Sequence, residues 1–313
     1  MKQISIIIPC YNEEENIQPV YEKIADVFGR LEGKYAPEII FVNDGSTDNS
    51  GQKLQMLSKK DSRVKYVGFS RNFGKEIATT AGINHCHGEA CVMIDADLQH
   101  PAELIPDFLA KWEEGNDVVV GIRKKSKSDS WIKVAGSKIF YKILNRIADV
   151  EVYPNATDFR LIDRNVIDEF NRFTETSRMT RALIDWLGFK RDYIYFDANN
   201  RLHGTATYSL WKLIKLALNS FVTLSLLPLK IAGYLGMFII LLSGIMGLYI
   251  LLGKYFLHLR FASTFSDAEN LAIFIVFLVG IILTSLGLMA LYIANIHREV
   301  IRRPMYVIRD KKM

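Results

Sequence analysis

The sequence predicts an α/β fold: a mainly parallel sheet, then an amphipathic juxtamembrane helix and two transmembrane helices. Three observations carry that reading. Apolar, β-branched strand patterns alternate with helical patterns from Ile4 to Gly121, the rhythm of a parallel sheet with crossover helices. Each strand pattern ends in a polar cluster. Late in the chain, two long runs contain no charged residue.

Taken in order, residues 4–8 are an Ile-rich run ended by Pro9, as expected of a buried parallel strand. Asn12 is the expected N-cap of a helix reaching about Leu31, with Glu13, Glu14 and Glu15 in its first turn. A second strand spans 38–42, followed by Asn43-Asp44-Gly45-Ser46-Thr47-Asp48 and a helix over about 50–60. The third strand, 64–69, leads through Ser70-Arg71-Asn72-Phe73-Gly74-Lys75 into a helix reaching about His85. The fourth strand, 91–94, runs into Asp95-Ala96-Asp97-Leu98-Gln99, and a fifth covers 117–121 before Arg123. All these polar clusters fall beyond strand carboxyl ends, where open α/β sheets bind ligands.

Composition narrows the possibilities. A net charge of +5 over 313 residues is too small a basic excess to imply a nucleic-acid partner. Cys10, Cys86 and Cys91 lack metal-site spacing. Cys10 and Cys91 lie in strand-like runs, where a free thiol behaves as a small hydrophobe, which fits a reducing compartment. The first residues enter a strand with no preceding apolar h-region, so no signal peptide is expected.

The chemistry centres on Asp95 and Asp97. Residues i and i+2 of an extended chain share a side, so the two carboxylates are expected to converge as the strand ends. Hard carboxylates with open positions between them suit Mg²⁺ or Mn²⁺, completed by substrate phosphates. The plainer reading is a strand-end turn with solvated acids.

Taken together, Pro9-Cys10-Tyr11-Asn12-Glu13, the 42–48 and 70–75 clusters and Asp95-Ala96-Asp97-Leu98-Gln99 resemble glycosyltransferase family 2, with its GT-A nucleotide-sugar fold. Within it the chain resembles the polyprenyl-phosphate glycosyltransferases, bacterial relatives of dolichyl-phosphate mannose synthase. Asp158-Phe159-Arg160-Leu161 and the two late apolar runs extend the match over nearly the whole chain. The resemblance implies a UDP-sugar donor held by Pro9, Tyr11, Glu13, Asp44, Lys75, Asp95, Ala96 and Asp97, and a divalent ion on Asp95, Asp97 and Gln99. It implies an acceptor lipid phosphate at Arg123, a basic residue near Lys138, and Arg201. Asp97, Asp158 and Arg123 then stand closest to the reaction. Asp158 is expected either to orient the acceptor or to pair with Arg160. Lys124, Lys125 and Lys127 read equally well as a solvated face. Two departures stand out: Asn43 replaces the first of two family acids, and Ala206-Thr207 replaces a Ser-Lys pair.

From Ala198 to Lys230 there is no acid, and Lys212 and Lys215 interleave with Leu210, Trp211, Leu213 and Ile214. That pattern suits a helix lying in the headgroup region. The uncharged runs, 231–253 and 271–296, each meet the ~20 residues needed to cross a bilayer. Arg298, Arg302, Arg303, Arg309, Lys311 and Lys312 follow, so both termini are expected on the cytoplasmic face of a bacterial plasma membrane, as a multi-pass protein. The expected organisation is a catalytic domain (1–200), interfacial helices (201–230), two spans with a short outer loop (231–296) and a basic tail (297–313). Gly244, Gly247, Gly280 and Gly287 offer small faces for helix packing; the resemblance implies a homo-oligomer, a tetramer being the expected size.

The expected activity is inverting transfer of a hexose, glucose or N-acetylglucosamine, from a UDP-sugar to undecaprenyl or another polyprenyl phosphate. Two alternatives are a processive polysaccharide synthase and a non-catalytic nucleotide-binding membrane scaffold. The first lacks its Gln-x-x-Arg-Trp motif here; the second is disfavoured by the intact Asp95 and Asp97.

Overall fold

The computed structural model describes residues 1–124, 156–175, 178–197, 267–301 and 303–313. Lys138, Arg201, the 206–207 departure, the interfacial helix and the first apolar run lie outside the described residues. The chain divides into two compact units, Met1–Thr207 with Arg302–Met313, and Tyr208–Ile301.

The first unit is built on an eight-stranded sheet. Its strands are β1 (Lys2–Cys10), β2 (Tyr35–Asn43), β3 (Val64–Phe69), β4 (Ala90–Met93), β5 (Val118–Arg123), β6 (Ala156–Asp163), β7 (Arg191–Phe196) and β8 (Ile308–Lys312), in the order β7-β5-β6-β4-β1-β2-β3-β8. β1 pairs in parallel with β2 and β4, β2 with β3, and β5 with β7, while β6 and β8 run antiparallel to their neighbours. The sheet is mixed and mainly parallel.

Why these strands are nearly continuous in apolar residues follows from burial on both faces. Ile4, Ile6 and Ile8 of β1 enter one core with Ile39 and Phe41 of β2; Ile7, Ile40 and Val42 enter the other. The first core is closed by α1 (Ile17–Gly29), α2 (Ser50–Lys60) and α4 (Ile105–Glu113). The second is closed by α3 (Lys75–His85), α5 (Arg164–Asn171) and α6 (Thr180–Trp186). Cys10, Cys86 and Cys91 are free and buried.

Two local expectations need correction. α1 starts at Ile17 behind Asn16, with no acid in its first turn. Asn12 is not its cap but sits at φ 55, where its side-chain oxygen accepts from the Thr47 amide at 2.9 Å. β4 stops at Met93, so Asp95 and Asp97 lie in the turn after it rather than on an extended strand.

The tail was expected only as a basic segment; residues 308–312 form β8 instead and join the sheet at the edge of β3. In the second unit, Asp267–Ile301 is one 35-residue helix, α7, which contains the 271–296 run. Among the described residues no helix is long and apolar enough to cross a membrane.

Candidate active site

β1, β2, β3, β4 and β5 all point their carboxyl ends at one rim, and antiparallel β6 brings its amino end there. That reversal is what places Asp158 beside the turn after β4. In that turn burial alternates: Ile94, Ala96, Leu98 and His100 are buried, while Asp95, Asp97 and Gln99 are partly open. The apolar residues anchor the turn in the core, and the three oxygen-bearing side chains are its partly open ones. Leu98, within this turn, adopts φ 60, a left-handed backbone that costs a non-glycine residue roughly 1–2 kcal/mol.

Charges alternate across the rim. The Lys75 ammonium lies 2.6 Å from Asp95 Oδ1 and 2.8 Å from Asp158 Oδ2. On its other side Asp158 Oδ1 lies 3.2 Å from Arg181 Nε. Burial would raise the Asp158 carboxyl, but the two cations outweigh it and hold the group at about 2. The two carboxylates outweigh burial in the same way and push the Lys75 ammonium up. Asp158 is thus a fixed anion at neutral pH. Asp97 Oδ1 accepts from the Gln99 amide at 3.1 Å.

Of the two readings of Asp158, the pair with Arg160 is not the contact made. Arg160 is 1% exposed and pairs with Asp185 at 2.9 Å, while its Nε donates to the Thr157 carbonyl. The residue that Asp158 takes instead, Arg181, comes from α6 and carried no sequence signal. His100 was also missed. Its Nδ1 accepts from the Asp95 amide at 3.2 Å, and its ring stacks on Phe159 with centroids 5.2 Å apart. Burial lowers its pKa, which favours the neutral, accepting ring. Its place just after the acid turn was the one available hint.

The remaining predicted residues fall in two places. Pro9, Tyr11 and Glu13 lie at and just beyond the end of β1, where Tyr11 is 44% exposed. Asp44 is buried, and its carboxylate accepts from the Phe73 and Gly74 amides at 2.7 and 2.9 Å. Burial pushes it up against those two bonds. It therefore clamps the 70–75 loop to the 43–48 loop. Gly45, at φ 66, meets the backbone of Arg71 so closely that a Cβ there would overlap it. The segment after β1 is also stitched to the 43–48 loop and to the start of α2: the Asn12 amide donates to Ser46 Oγ at 2.9 Å and the Glu13 amide to Ser50 Oγ at 3.1 Å. Arg123 stands exposed at the end of β5. Among the described residues no three or more His, Cys, Asp or Glu side chains form a ready-made metal cage.

The family model described as glycosyl transferase family 2 matches residues 5–170. The chain belongs to that family. It is 40% identical over 307 residues to the uncharacterized glycosyltransferase YkcC of Bacillus subtilis, covering 98% of this chain and 93% of the relative. Against the bactoprenol glucosyl transferase of Shigella phage SfV it is 34% identical over 310 residues, 99% of both chains. Among solved structures, a glucosyl-3-phosphoglycerate synthase from Mycobacterium tuberculosis, with Mn²⁺, UDP-glucose and phosphoglyceric acid, is 18% identical. That likeness has a TM-score of 0.48 and covers 71% of this chain and 78% of that one. This family-2 chain is a glycosyltransferase, and the rim just described is its candidate active site.

Proposed function

We propose that this glycosyltransferase moves a hexose, glucose or N-acetylglucosamine, from a UDP-sugar to a polyprenyl phosphate with inversion. The acceptor is supported by the similarity, end to end, to bactoprenol glucosyl transferases. One observation carries the reading of the site: Asp95, Asp97 and Gln99 are the partly open residues of one turn at the rim, with Lys75 bridging Asp95 to Asp158.

In this reading the exposed Tyr11 ring packs on the base, and Glu13 accepts from ribose or base donors. Asp95, Asp97 and Gln99 would hold Mg²⁺ or Mn²⁺. The donor set fits: two carboxylates and an amide are too few to enclose an ion but suit one completed by diphosphate oxygens. When bound, the ion offsets charge on the departing UDP. Arg123, with Lys138 and Arg201, binds the lipid phosphate, a task for which a guanidinium fork is suited.

A phosphate monoester already presents an anionic oxygen. That oxygen bonds to the anomeric carbon as the bond from that carbon to the UDP oxygen breaks, the electron pair leaving with UDP. No proton has to be removed, which agrees with an Asp158 far too acidic for a general base. Asp158 instead fixes Lys75 and Arg181, so that catalysis is positioning and charge compensation.

The membrane part of the proposal rests on the uncharged runs 231–253 and 271–296, each long enough in sequence to cross a bilayer core; α7 contains the second of them. Leu271, Ile275, Ile282 and Leu286 are exposed along it. With 231–253 as the other span, the positive-inside rule puts the catalytic unit and both termini in the cytoplasm. Close helix packing at Gly280 and Gly287 would serve a homo-oligomer.

The test is incubation of membranes with labelled UDP-glucose or UDP-N-acetylglucosamine, Mn²⁺ and undecaprenyl phosphate. We expect a chloroform-soluble, mild-acid-labile product, reduced at least about a hundredfold by Asp97→Asn. A long insoluble polymer, or no transfer from any UDP-sugar, would overturn the proposal.

A further inference from the structure

The last strand reaches the site from a direction that the family motifs do not cover. Val307 O accepts from the Ser70 amide at 2.9 Å, the residue at which β3 gives way to the 70–75 loop. The Tyr306 ring stacks on Phe69, with centroids 4.9 Å apart and planes 19° apart. Phe69 in turn meets Phe73 edge-on at 5.6 Å, and the Arg71 guanidinium covers the Phe73 ring at 4.0 Å. The Phe73 amide is one of the two that Asp44 holds. An unbroken series of packed rings and hydrogen bonds therefore runs from Tyr306 to Asp44.

The strand itself is firmly seated. Its register sets Ile308 opposite Phe69, Asp310 opposite Gly68 and Lys312 opposite Tyr66. Asp310 accepts from Gln55 Nε2 at 3.1 Å and lies so close to Gly68 that a Cβ there would overlap its carboxylate. The Asn84 amide meets the Tyr306 hydroxyl at 3.3 Å, tying the same ring to the far end of α3, the helix that begins with Lys75. The antiparallel direction of β8 puts its first residues, and the Tyr306–Val307 lead-in, at the site end of β3.

We propose that Tyr306 and Val307 are positioning elements of the donor site: the tail sets the conformation of the 70–75 loop and, through it, Asp44 and Lys75. The tail touches no reacting atom. It acts by limiting the loop to the arrangement that receives the nucleotide, so its loss appears as an ordering cost on binding. The inference rests on the reading of this rim as a UDP-sugar site.

The experiment uses the full chain in detergent and measures UDP binding in the presence of Mn²⁺ by calorimetry, beside KM for the UDP-sugar, kcat and Tm. The variants are Tyr306→Ala, Tyr306→Phe and Lys312→Ala. Lys312 is the control at the far end of β8, where its ammonium meets the Ser58 carbonyl. We expect Tyr306→Ala to weaken UDP binding and raise the donor KM by about five- to tenfold, the scale of one aromatic pair, with kcat within about twofold. Tyr306→Phe should restore most of the loss, and Lys312→Ala should change neither quantity. A Tyr306→Ala chain that loses Tm while keeping UDP affinity makes the tail a stabilising strand only, and overturns the inference. An equal loss in Lys312→Ala overturns it as well. If the parent chain itself does not bind UDP, the donor reading has failed, a result distinct from either.

Discussion

At the scale of single residues, the rim works because opposite charges are placed within contact distance and like charges are kept apart by a cation. Asp95 and Asp158 share Lys75, and Asp158 is steadied from behind by Arg181. A second residue-scale device is Gly45. Its φ of 66 and its contact with the Arg71 backbone leave no room for a side chain. We expect Gly45→Ala to cost roughly 1–3 kcal/mol and to weaken UDP binding by separating the two loops; unchanged Tm and UDP affinity would refute this. Much of the rim could be read from residue types alone. Asp95, Asp97, Tyr11 and Lys75 stand where strand ends were expected. Partner choice could not be read: Arg160 lies two residues from Asp158, yet it turns into the core toward Asp185. Arg181 and His100 matter through tertiary proximity, which leaves no mark in local spacing.

At the scale of elements, the legible strands were those buried on both faces, because an uninterrupted β-branched run suits a strand covered on both sides and little else. β6 and β7 carry mixed polar and apolar residues, including Arg160 and Asp192, and were not anticipated. β8 was hidden more thoroughly, since Ile308-Arg309-Asp310-Lys311-Lys312 reads as a charged tail and gains strand structure only from the edge of β3. At the sheet end opposite the rim, Glu38 links several elements. Its carboxylate accepts from Ser5 Oγ of β1, from Lys65 of β3 at 2.6 Å and from the His87 amide after α3 at 2.9 Å. Burial alone would raise its pKa; these bonds outweigh burial and bring it from 4.5 to about 2. The folded-state value lies below the unfolded one, so this stabilisation is complete above about pH 4.5 and is lost as pH falls toward 2. We expect the Tm of the parent chain to exceed that of Glu38→Gln above about pH 5, with the gap closing between about pH 4.5 and 2.5. A gap independent of pH would show that the carboxylate's charge contributes nothing.

At the scale of the whole molecule, the division at 207–208 and 301–302 gives a sheet-based unit that owns both ends of the chain and a second unit inserted between them. The late apolar runs were located by their lack of charge, and α7 contains the second of them. The return of the chain to the sheet was not legible, because hydropathy reports the medium a segment prefers and carries no information about where the next segment docks. If the proposed two spans are correct, alkaline carbonate washing of membranes should leave the chain in the pellet. Release into the supernatant would refute the spans without touching the transferase assignment.

The return of residues 308–312 to β3 also orders events in time. When translation has just passed α5, the outer flank of β3 is bare, and it stays so until α7 and the final residues have been made. During that interval an open strand edge invites pairing with another nascent copy. Only the arrival of the tail ends this exposure, so the catalytic unit finishes folding after the segment between its two parts has already been synthesised.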